Sequence, residues 1–390
     1  MNRRHFLSTA AALPAITSPW MHAFANVNSK QQMLVLVYLK GGNDTYNMLA
    51  PFGDASYKKL RPNLALQREQ LIHLTDTHGF HSALKPMMAA WESKDVALIQ
   101  GIGQQDITNQ HYRDLEMQFT GAGPEEFLDD GWITRWLTKN ASKFPAAALD
   151  GIAFDDLDIR EADPMGPFRG QKLRVAHMQH PSEWLAKRRI IGTQHLVTMP
   201  AKNAESTFTQ TETISLKTEF PRDPFGAALK ATAEMAAAGI APPVVHICLN
   251  GLDGDQHSGF DTHENQLKYH GAILERFANG LAAFRAAMIE LDRWNETLFV
   301  TYDEFGRSAK ENEKQGTHHG WASAQFVAGG RVKGGLHGQS LPILNVFAID
   351  GPAPVIDYRA LYTTIIETWW GSSANGVFQR RFKPLNLLRA

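Results

Sequence analysis

The sequence predicts an α/β fold with a mainly parallel central sheet and helices on both faces. Three observations carry this. Short runs that are apolar at every position recur along the chain, helical stripes lie between them, and polar clusters come directly after several of the runs. A strand covered on both faces needs apolar side chains at odd and even positions alike, which is the habit of parallel sheets packed between helices.

Taken in order, the first run is Met33-Leu-Val-Leu-Val-Tyr-Leu39, closed by Gly41-Gly42. Residues 96–100, Val244–Leu249 and Thr297–Tyr302 repeat the pattern, and 324–328 is a weaker case. The clearest helix carries Leu267, Leu274, Phe277, Leu281, Phe284, Met288 and Leu291 as one apolar stripe. Strands alternating with such helices form parallel sheets. The stretch around 155–224 reads as an insertion or surface segment, because 196–224 is rich in Thr, Ser, Glu and Lys with little periodicity. Gly329-Gly-Arg-Val-Lys-Gly-Gly335 lacks the G-K-[ST] ending of a phosphate loop and reads as a hairpin turn. Trp369-Trp370 reads as core.

Composition narrows the function classes. At 390 residues, with 43% hydrophobic and 20% charged, the chain can bury a sizeable core and is not disordered. Lys plus Arg is 39 and Asp plus Glu is 40, so the basic excess of a general nucleic-acid binder is missing. Cys248 is the single cysteine, which excludes an intrachain disulfide and any cysteine-based zinc cluster. Sixteen histidines direct attention to a histidine/carboxylate metal site.

The N-terminus reads as an address. Arg3-Arg4-His5-Phe6-Leu7 is a twin-arginine pattern, a weakly apolar stretch comes next, and Ala23-Phe24-Ala25 is an A-x-A cleavage site. Residues 1–25 are therefore expected to be a signal peptide and 26–390 a single α/β domain. The partner would be the twin-arginine export machinery and the destination periplasmic or secreted. An amphipathic N-terminal helix with chance arginines is the alternative. No stretch reaches about 18 apolar residues, so stable membrane insertion is not expected.

Ligands of open α/β sheets bind beyond the carboxyl ends of the strands. After the first run come Gly41-Gly42-Asn43-Asp44-Thr45. After Val244–Leu249 come Asn250-Gly-Leu-Asp253-Gly-Asp255-Gln-His257 and then Asp261-Thr262-His263. After Thr297–Tyr302 come Asp303-Glu304-Phe305-Gly306-Arg307, and then Gly316-Thr317-His318-His319-Gly320-Trp321. Carboxylates and imidazoles arriving together suit zinc, manganese, calcium or magnesium, with histidine favouring the transition metals. Each part also has a plainer reading. Asp44 would serve as a turn residue. Asp261 with Glu264 would serve as a helix capping box. Asp303 or Glu304 would pair with Arg307, and His257, His318 and His319 would be surface loop residues.

Leu39-Lys-Gly-Gly-Asn-Asp-Thr45, Gly79-Phe-His-Ser-Ala-Leu84, Gly259-Phe-Asp-Thr-His263, Glu304-Phe-Gly-Arg307, Gly316-Thr-His-His-Gly-Trp321 and Asp357-Tyr-Arg-Ala-Leu-Tyr362 resemble the bacterial family called domain of unknown function 1501. The resemblance runs in order over nearly the whole chain after residue 25. That family is similar to the alkaline phosphatase and sulfatase superfamily. The resemblance therefore implies an alkaline phosphatase/sulfatase-like fold, a small anionic ester of phosphate or sulfate as substrate, and one or two divalent metal ions. It implies metal ligands at Asp44, Asp261, His263, Glu304 and His319, with Asp303 the alternative to Glu304. Two departures stand out. His318 occupies a place where the family pattern is similar to Gly-Thr-Asp-His-Gly, and Gln110-His111-Tyr112 stands where the family often shows Ser-His-Phe.

For ester cleavage, Arg307 would clamp a sulfate or phosphate oxygen with its planar fork, and His111 would protonate or bind the leaving group. Gln110 cannot attack phosphorus or sulfur. The nucleophile is then Thr108, two residues earlier, or a water activated by the metal; Thr108 has the plainer reading of a helix N-cap. The competing class is a metal-stabilised binding or scaffold protein of the cell envelope without catalysis, which the Gln110 and His318 departures favour.

Overall fold

The computed structural model describes residues 31–105, 107–144, 147, 149–154, 166–170, 172–178, 181, 215–251, 259–343 and 352–389. The expected signal segment, most of the stretch around 155–224 and the Asp253-to-His257 stretch lie outside the described residues.

The apolar runs become strands β1 (Met33–Leu39), β2 (Val96–Gly103), β5 (Val244–Leu249) and β6 (Thr297–Tyr302), and two strands the runs did not announce, β3 (Gly151–Phe154) and β4 (Val175–Met178), lie between β2 and β5 in the chain. Next come a small hairpin of β7 (Gly306–Glu311) and β8 (Thr317–Gly320), then β9 (Ala322–Ala328), β10 (Gly335–Gly338) and β11 (Ile356–Asp357). All except the hairpin belong to one sheet of order β10-β2-β9-β6-β1-β5-β3-β4, with β11 also on β2. β1 is parallel to β5 and β6, β3 to β4 and β5, and β2 to β10 and β11. Only β9 runs antiparallel to its neighbours among the described pairs of this sheet. The sheet is thus mainly parallel.

Alternation along β1 shows why its residues are apolar throughout. Met33, Val35, Val37 and Leu39 enter one hydrophobic cluster, and Leu34, Leu36 and Tyr38 enter another on the opposite face. Helices α3 (Pro224–Ala237) and α4 (Gln266–Glu290) cover the first face. Helices α1 (His111–Thr120), α2 (Trp132–Asn140) and α5 (Tyr358–Thr364) cover the second. Trp369 and Trp370 are buried there, with Trp370 stacked on Trp136 at 4.0 Å.

Two sequence expectations are corrected. The glycine-rich stretch after β9 is not a hairpin turn, because β9 and β10 flank β2 on opposite sides. Gly329 N–H donates to the Asp95 carbonyl (3.0 Å) and Gly334 N–H to the Lys94 carbonyl (3.1 Å), so the chain wraps around the start of β2. The α4 stripe also starts differently. Leu267 is 45% exposed, whereas Gln266 and His270 are buried in the first turns. The inner face of α4 therefore begins polar and becomes apolar only from Ile273 onward.

Because β1, β2, β5 and β6 run the same way, their carboxyl ends share one edge of the sheet, and β9 starts from that edge. The loops carrying Asp44, Asp261, His263 and Glu304 meet there, together with the start of α1 and the β7–β8 hairpin.

Candidate metal centre

Local interactions place each side chain at this edge. The turn after β1 runs through Gly41 and Gly42, both at positive φ, and a Cβ on Gly42 would stand 2.8 Å from the Phe305 carbonyl oxygen. The loop after β5 is tied to β1 by Phe260 N–H donating to the Lys40 carbonyl (2.7 Å), and to β8 by Thr317 N–H donating to the Thr262 carbonyl (3.1 Å). Between these ties, Thr262 N–H donates to Phe260 O and His263 N–H to Asp261 O. Asp261 and His263 are thereby held beside β8. On β8, His319 stands opposite Arg307 of β7 and stacks on Phe305 at 4.0 Å. His111 is the first residue of α1.

His111, Asp261, His263 and His319 converge, with one ligand atom of each within 4.8 Å of the others. His263 Nε2 lies 2.9 Å from Asp261 Oδ1 and 3.1 Å from His319 Nε2. His319 Nε2 lies 3.4 Å from Asp261 Oδ1, and His111 Nε2 lies 3.4 Å from Asp261 Oδ2. Ligands about 2.0–2.1 Å from a tetrahedral ion stand about 3.3 Å from one another. The separations among His263 Nε2, His319 Nε2 and Asp261 Oδ1, 2.9–3.4 Å, match those edges, while His111 Nε2 approaches the other carboxylate oxygen.

The donor set fits a metal in a second way. Each ring presents its Nδ1 to an acceptor: His111 to Glu304 Oε1 (2.8 Å), His263 to the Thr317 carbonyl (2.9 Å) and His319 to the Asn109 carbonyl (2.9 Å). Such outer partners put the proton on Nδ1 and leave the Nε2 lone pair free to bind an ion. The Nε2 atoms of His263 and His319 then meet at 3.1 Å beside the Asp261 carboxylate, an arrangement a cation would relieve. In the metal-free protein a proton on His111 supplies positive charge beside Asp261. Burial opposes charge on His111, but hydrogen bonds with Asp261 and Glu304 outweigh it and push its pKa up to about 9. Burial likewise opposes ionisation of Asp261, yet hydrogen bonds from His111, His263 and His319 and the charge of Arg307 hold its carboxyl well below the usual range. The side chains of His111 and His263 remain 38% and 42% exposed, so an ion reaches the cluster from solvent.

Several residues expected at the site have other partners. The Asp44 carboxylate is fully buried against the Arg61 guanidinium and accepts from Tyr46 N–H (3.1 Å) and from Gln266 Nε2. It caps the short helix Thr45–Met48 and is not one of the converging ligands. Glu304 accepts from Gly41 N–H (3.0 Å) and from His111 Nδ1, so it stands behind His111 and outside the converging group. Asp303 faces away, accepting from Ser323 Oγ (2.9 Å), Gln325 Nε2 (2.6 Å) and Asn43 N–H (3.3 Å). Burial and then the Glu304 charge push its pKa up to about 8.

Arg307 is 1% exposed and donates to the carbonyls of Gly41, Gly42 and Thr317 and to Asp261 Oδ1. It is a buried strut for Asp261, not an open clamp for an anion. Thr108 Oγ1 donates to Asp114 Oδ1 (2.9 Å) and accepts from Gln110 N–H (3.3 Å). It precedes α1 without being its N-cap, which is Gln110, and its hydroxyl points into that local turn. Asp261 does not cap α4 either. The N-cap is Asn265 in left-handed conformation, and the hairpin turn satisfies the helix amides, Asn265 N–H donating to Lys314 O and Gln266 N–H to Gln315 O.

Sequence reasoning named His111 for proton transfer and did not foresee that it converges with Asp261, His263 and His319. It missed Asn109 and Thr317 because they act through backbone carbonyls, which no side-chain pattern encodes. It missed Arg61 and Gln266 as well. The signal for Gln266 was present: with His270 it forms an i, i+4 polar pair on the face that is otherwise apolar.

Residues 168–348 match the model of a family described as "Protein of unknown function (DUF1501)". The chain resembles that family. The DUF1501 match takes in Asp261, His263, Glu304, Arg307 and His319 and leaves Asp44, Thr108 and His111 outside, so it is narrower than the run of motifs suggests. No curated protein matches the chain. Among solved structures, the chain is similar to the lipoteichoic acid synthase LtaP from Listeria monocytogenes, with TM-score 0.43 and 9% identity over 89% of this chain and 74% of that one. It is similar to a phosphonate monoester hydrolase from Silicibacter pomeroyi, with TM-score 0.41 and 12% identity over 91% and 76%. It is also similar to a sulfatase from Pseudoalteromonas sp., with TM-score 0.39 and 9% identity over 94% and 73%.

Proposed function

We propose that this protein is an exported, metal-dependent hydrolase of phosphate or sulfate esters. The observation that carries the reading is the convergence of three imidazole Nε2 atoms and the Asp261 carboxylate at the carboxyl edge of a parallel sheet, with every Nδ1 held by an acceptor. Two imidazole nitrogens and a carboxylate oxygen as ligands, with a third imidazole beside them, support a first-row transition ion such as zinc over calcium or magnesium, which take oxygen ligands in larger shells. When bound, the ion would supply Lewis-acid polarisation of the ester and of an attacking water.

The chain's own residues divide the remaining work. Asp261, His263 and His319 would hold the ion, and Arg307 fixes Asp261 in place. His111 faces the same point from the start of α1, with Glu304 behind its Nδ1, and carries the proton for the departing oxygen. Export by the twin-arginine route through Arg3-Arg4 belongs to the same reading. No described helix is long and apolar enough to cross a membrane.

A second reading rests on the same four atoms. If His111 is a permanent ligand, the tetrahedron is filled by protein, as in structural zinc sites, and the domain is a metal-stabilised binding or scaffold protein. The test is one variant with two readouts. The purified protein is assayed with p-nitrophenyl phosphate, bis-p-nitrophenyl phosphate and p-nitrophenyl sulfate, with and without chelation. Under the hydrolase reading, wild type turns over at least one ester in a chelator-sensitive manner, and His111→Ala keeps its metal while losing turnover. Under the scaffold reading, wild type turns over none and His111→Ala loses metal. Wild type that binds no metal overturns both.

A further inference from the structure

We propose that Gln266 is a positioning residue that holds the two ligand-bearing segments at the spacing the metal requires, an inference that rests on the metal centre above. The segments come from distant parts of the chain: the loop with Asp261 and His263, and strand β8 with His319. Gln266 is fully buried beneath them. Its Oε1 accepts from Thr262 Oγ1 (3.0 Å) and from Thr317 Oγ1 (2.8 Å). Thr262 stands between Asp261 and His263. Thr317 supplies the carbonyl that receives His263 Nδ1 and lies two residues before His319 on the same strand face. One amide oxygen therefore joins both segments.

The orientation of that amide is set from behind. Gln266 Nε2 donates to Asp44 Oδ2, and a carboxylate can only accept. Asp44 stays ionised because the Arg61 charge overcomes its burial and lowers its pKa. The amide oxygen must then point at the threonines and accept from them, the Thr262 hydroxyl lying nearer to it (3.0 Å) than to the Phe260 carbonyl (3.3 Å). Arg61 extends the chain of contacts to the other strand of the hairpin, donating to the carbonyls of Ser308 (2.7 Å) and Ala309 (2.8 Å). Arg61, Asp44, Gln266, Thr262 and Thr317 are all buried. A space of this size filled by apolar side chains would avoid the desolvation cost of such a network. What the network adds is a defined distance between the loop and β8, with the Thr317 N–H to Thr262 O bond as its backbone counterpart.

The test uses the full mature chain in metal-free form. Zinc affinity is read by competition with a chromophoric chelator, and ligand geometry by the visible absorption of the cobalt(II)-substituted protein. Gln266→Met keeps the side-chain length and removes both links. We expect it to retain the far-ultraviolet circular dichroism of wild type, to bind zinc about 10–100-fold more weakly, as outer-partner losses do, and to shift the cobalt(II) bands. Thr317→Val is the milder variant should Gln266→Met fail to fold; it should weaken zinc binding in the same direction, and Thr317→Ser should restore it. Folded Gln266→Met or Thr317→Val with wild-type zinc affinity and an unchanged cobalt(II) spectrum would overturn the inference while leaving the metal centre standing. Wild type that takes up no zinc and no cobalt(II) overturns both.

Discussion

His263 Nε2 and His319 Nε2 stand 3.1 Å apart although the Nδ1 of each ring faces a backbone carbonyl. Carbonyls only accept, so each ring keeps its proton on Nδ1 and two lone pairs meet unless a cation lies between them. Zinc should therefore stabilise the fold. At a free concentration 100 times Kd the gain is about 2.7 kcal/mol. Urea denaturation with and without zinc should show this gain in wild type and lose most of it in His263→Ala and His319→Ala. Equal stabilisation of wild type and both variants would place the metal elsewhere.

The Asp44–Arg61 pair is a different kind of interaction, since neither side chain is exposed. Removing one partner leaves an uncompensated buried charge, which costs about 3–5 kcal/mol. Arg61→Met should lose that much in metal-free urea denaturation. A loss under about 1 kcal/mol, the range of exposed pairs, would show that water reaches Asp44.

Thr108 offers a direct check on the nucleophile. Its hydroxyl is engaged with Asp114 and Gln110 N–H, as in a capping turn. Thr108→Ala should cost about 0.5–1.5 kcal/mol, the net worth of a lost hydrogen bond, while metal content and any ester turnover stay near wild type. A phosphoryl or sulfuryl adduct trapped on Thr108 would reverse this assignment.

Asp303 predicts a pH dependence of stability. Its pKa rises from 3.8 to about 8 on folding, so between those values the folded chain holds a proton that the unfolded chain has released. Stability from this group is complete at low pH, falls as pH rises toward about 8, and then levels off. The slope is at most about 1.4 kcal/mol per pH unit. Asp303→Asn lacks the titration, so wild type should lose stability relative to it across this window in metal-free denaturation at pH 5 to 9. Parallel curves would mean that Asp303 ionises normally.

Export is tested at the other end of the chain. Changing Arg3 and Arg4 together to Lys should leave the precursor in the cytoplasm, whereas wild type should yield a mature form starting near Asn26. Unchanged accumulation of the double variant outside the cytoplasm would remove the twin-arginine assignment.

Much of the sheet was legible because its rule is local. β1, β5 and β6 begin and end where their apolar runs do, since a strand buried on both faces needs apolar residues at consecutive positions. The 96–100 run continues to Gly103 and the 324–328 run begins at Ala322, the usual blur at strand ends. The α4 stripe was legible from Leu274 to Met288. It failed at Leu267 because the first turns of that helix face polar partners, and an apolar pattern cannot report a buried Gln266 or His270.

By itself the sequence determined the parallel strands β1, β2, β5 and β6 at the middle of the sheet, the edge at which polar groups gather, and three of the four converging side chains, Asp261, His263 and His319. Residue type and distance from a strand end suffice for that, because parallel strands deliver their outgoing loops to one edge. Only the tertiary structure decided how the carboxylates divide. Asp44, Asp303, Glu304 and Asp261 are alike in sequence terms, each near a strand end. Arg61 claims the first, Ser323 and Gln325 hold the second, the third meets only the Nδ1 side of His111, and Asp261 is the carboxylate that converges with all three imidazoles. A carboxylate's role depends on the partner that neutralises it, and those partners arrive from elsewhere in the chain, where no spacing rule reaches.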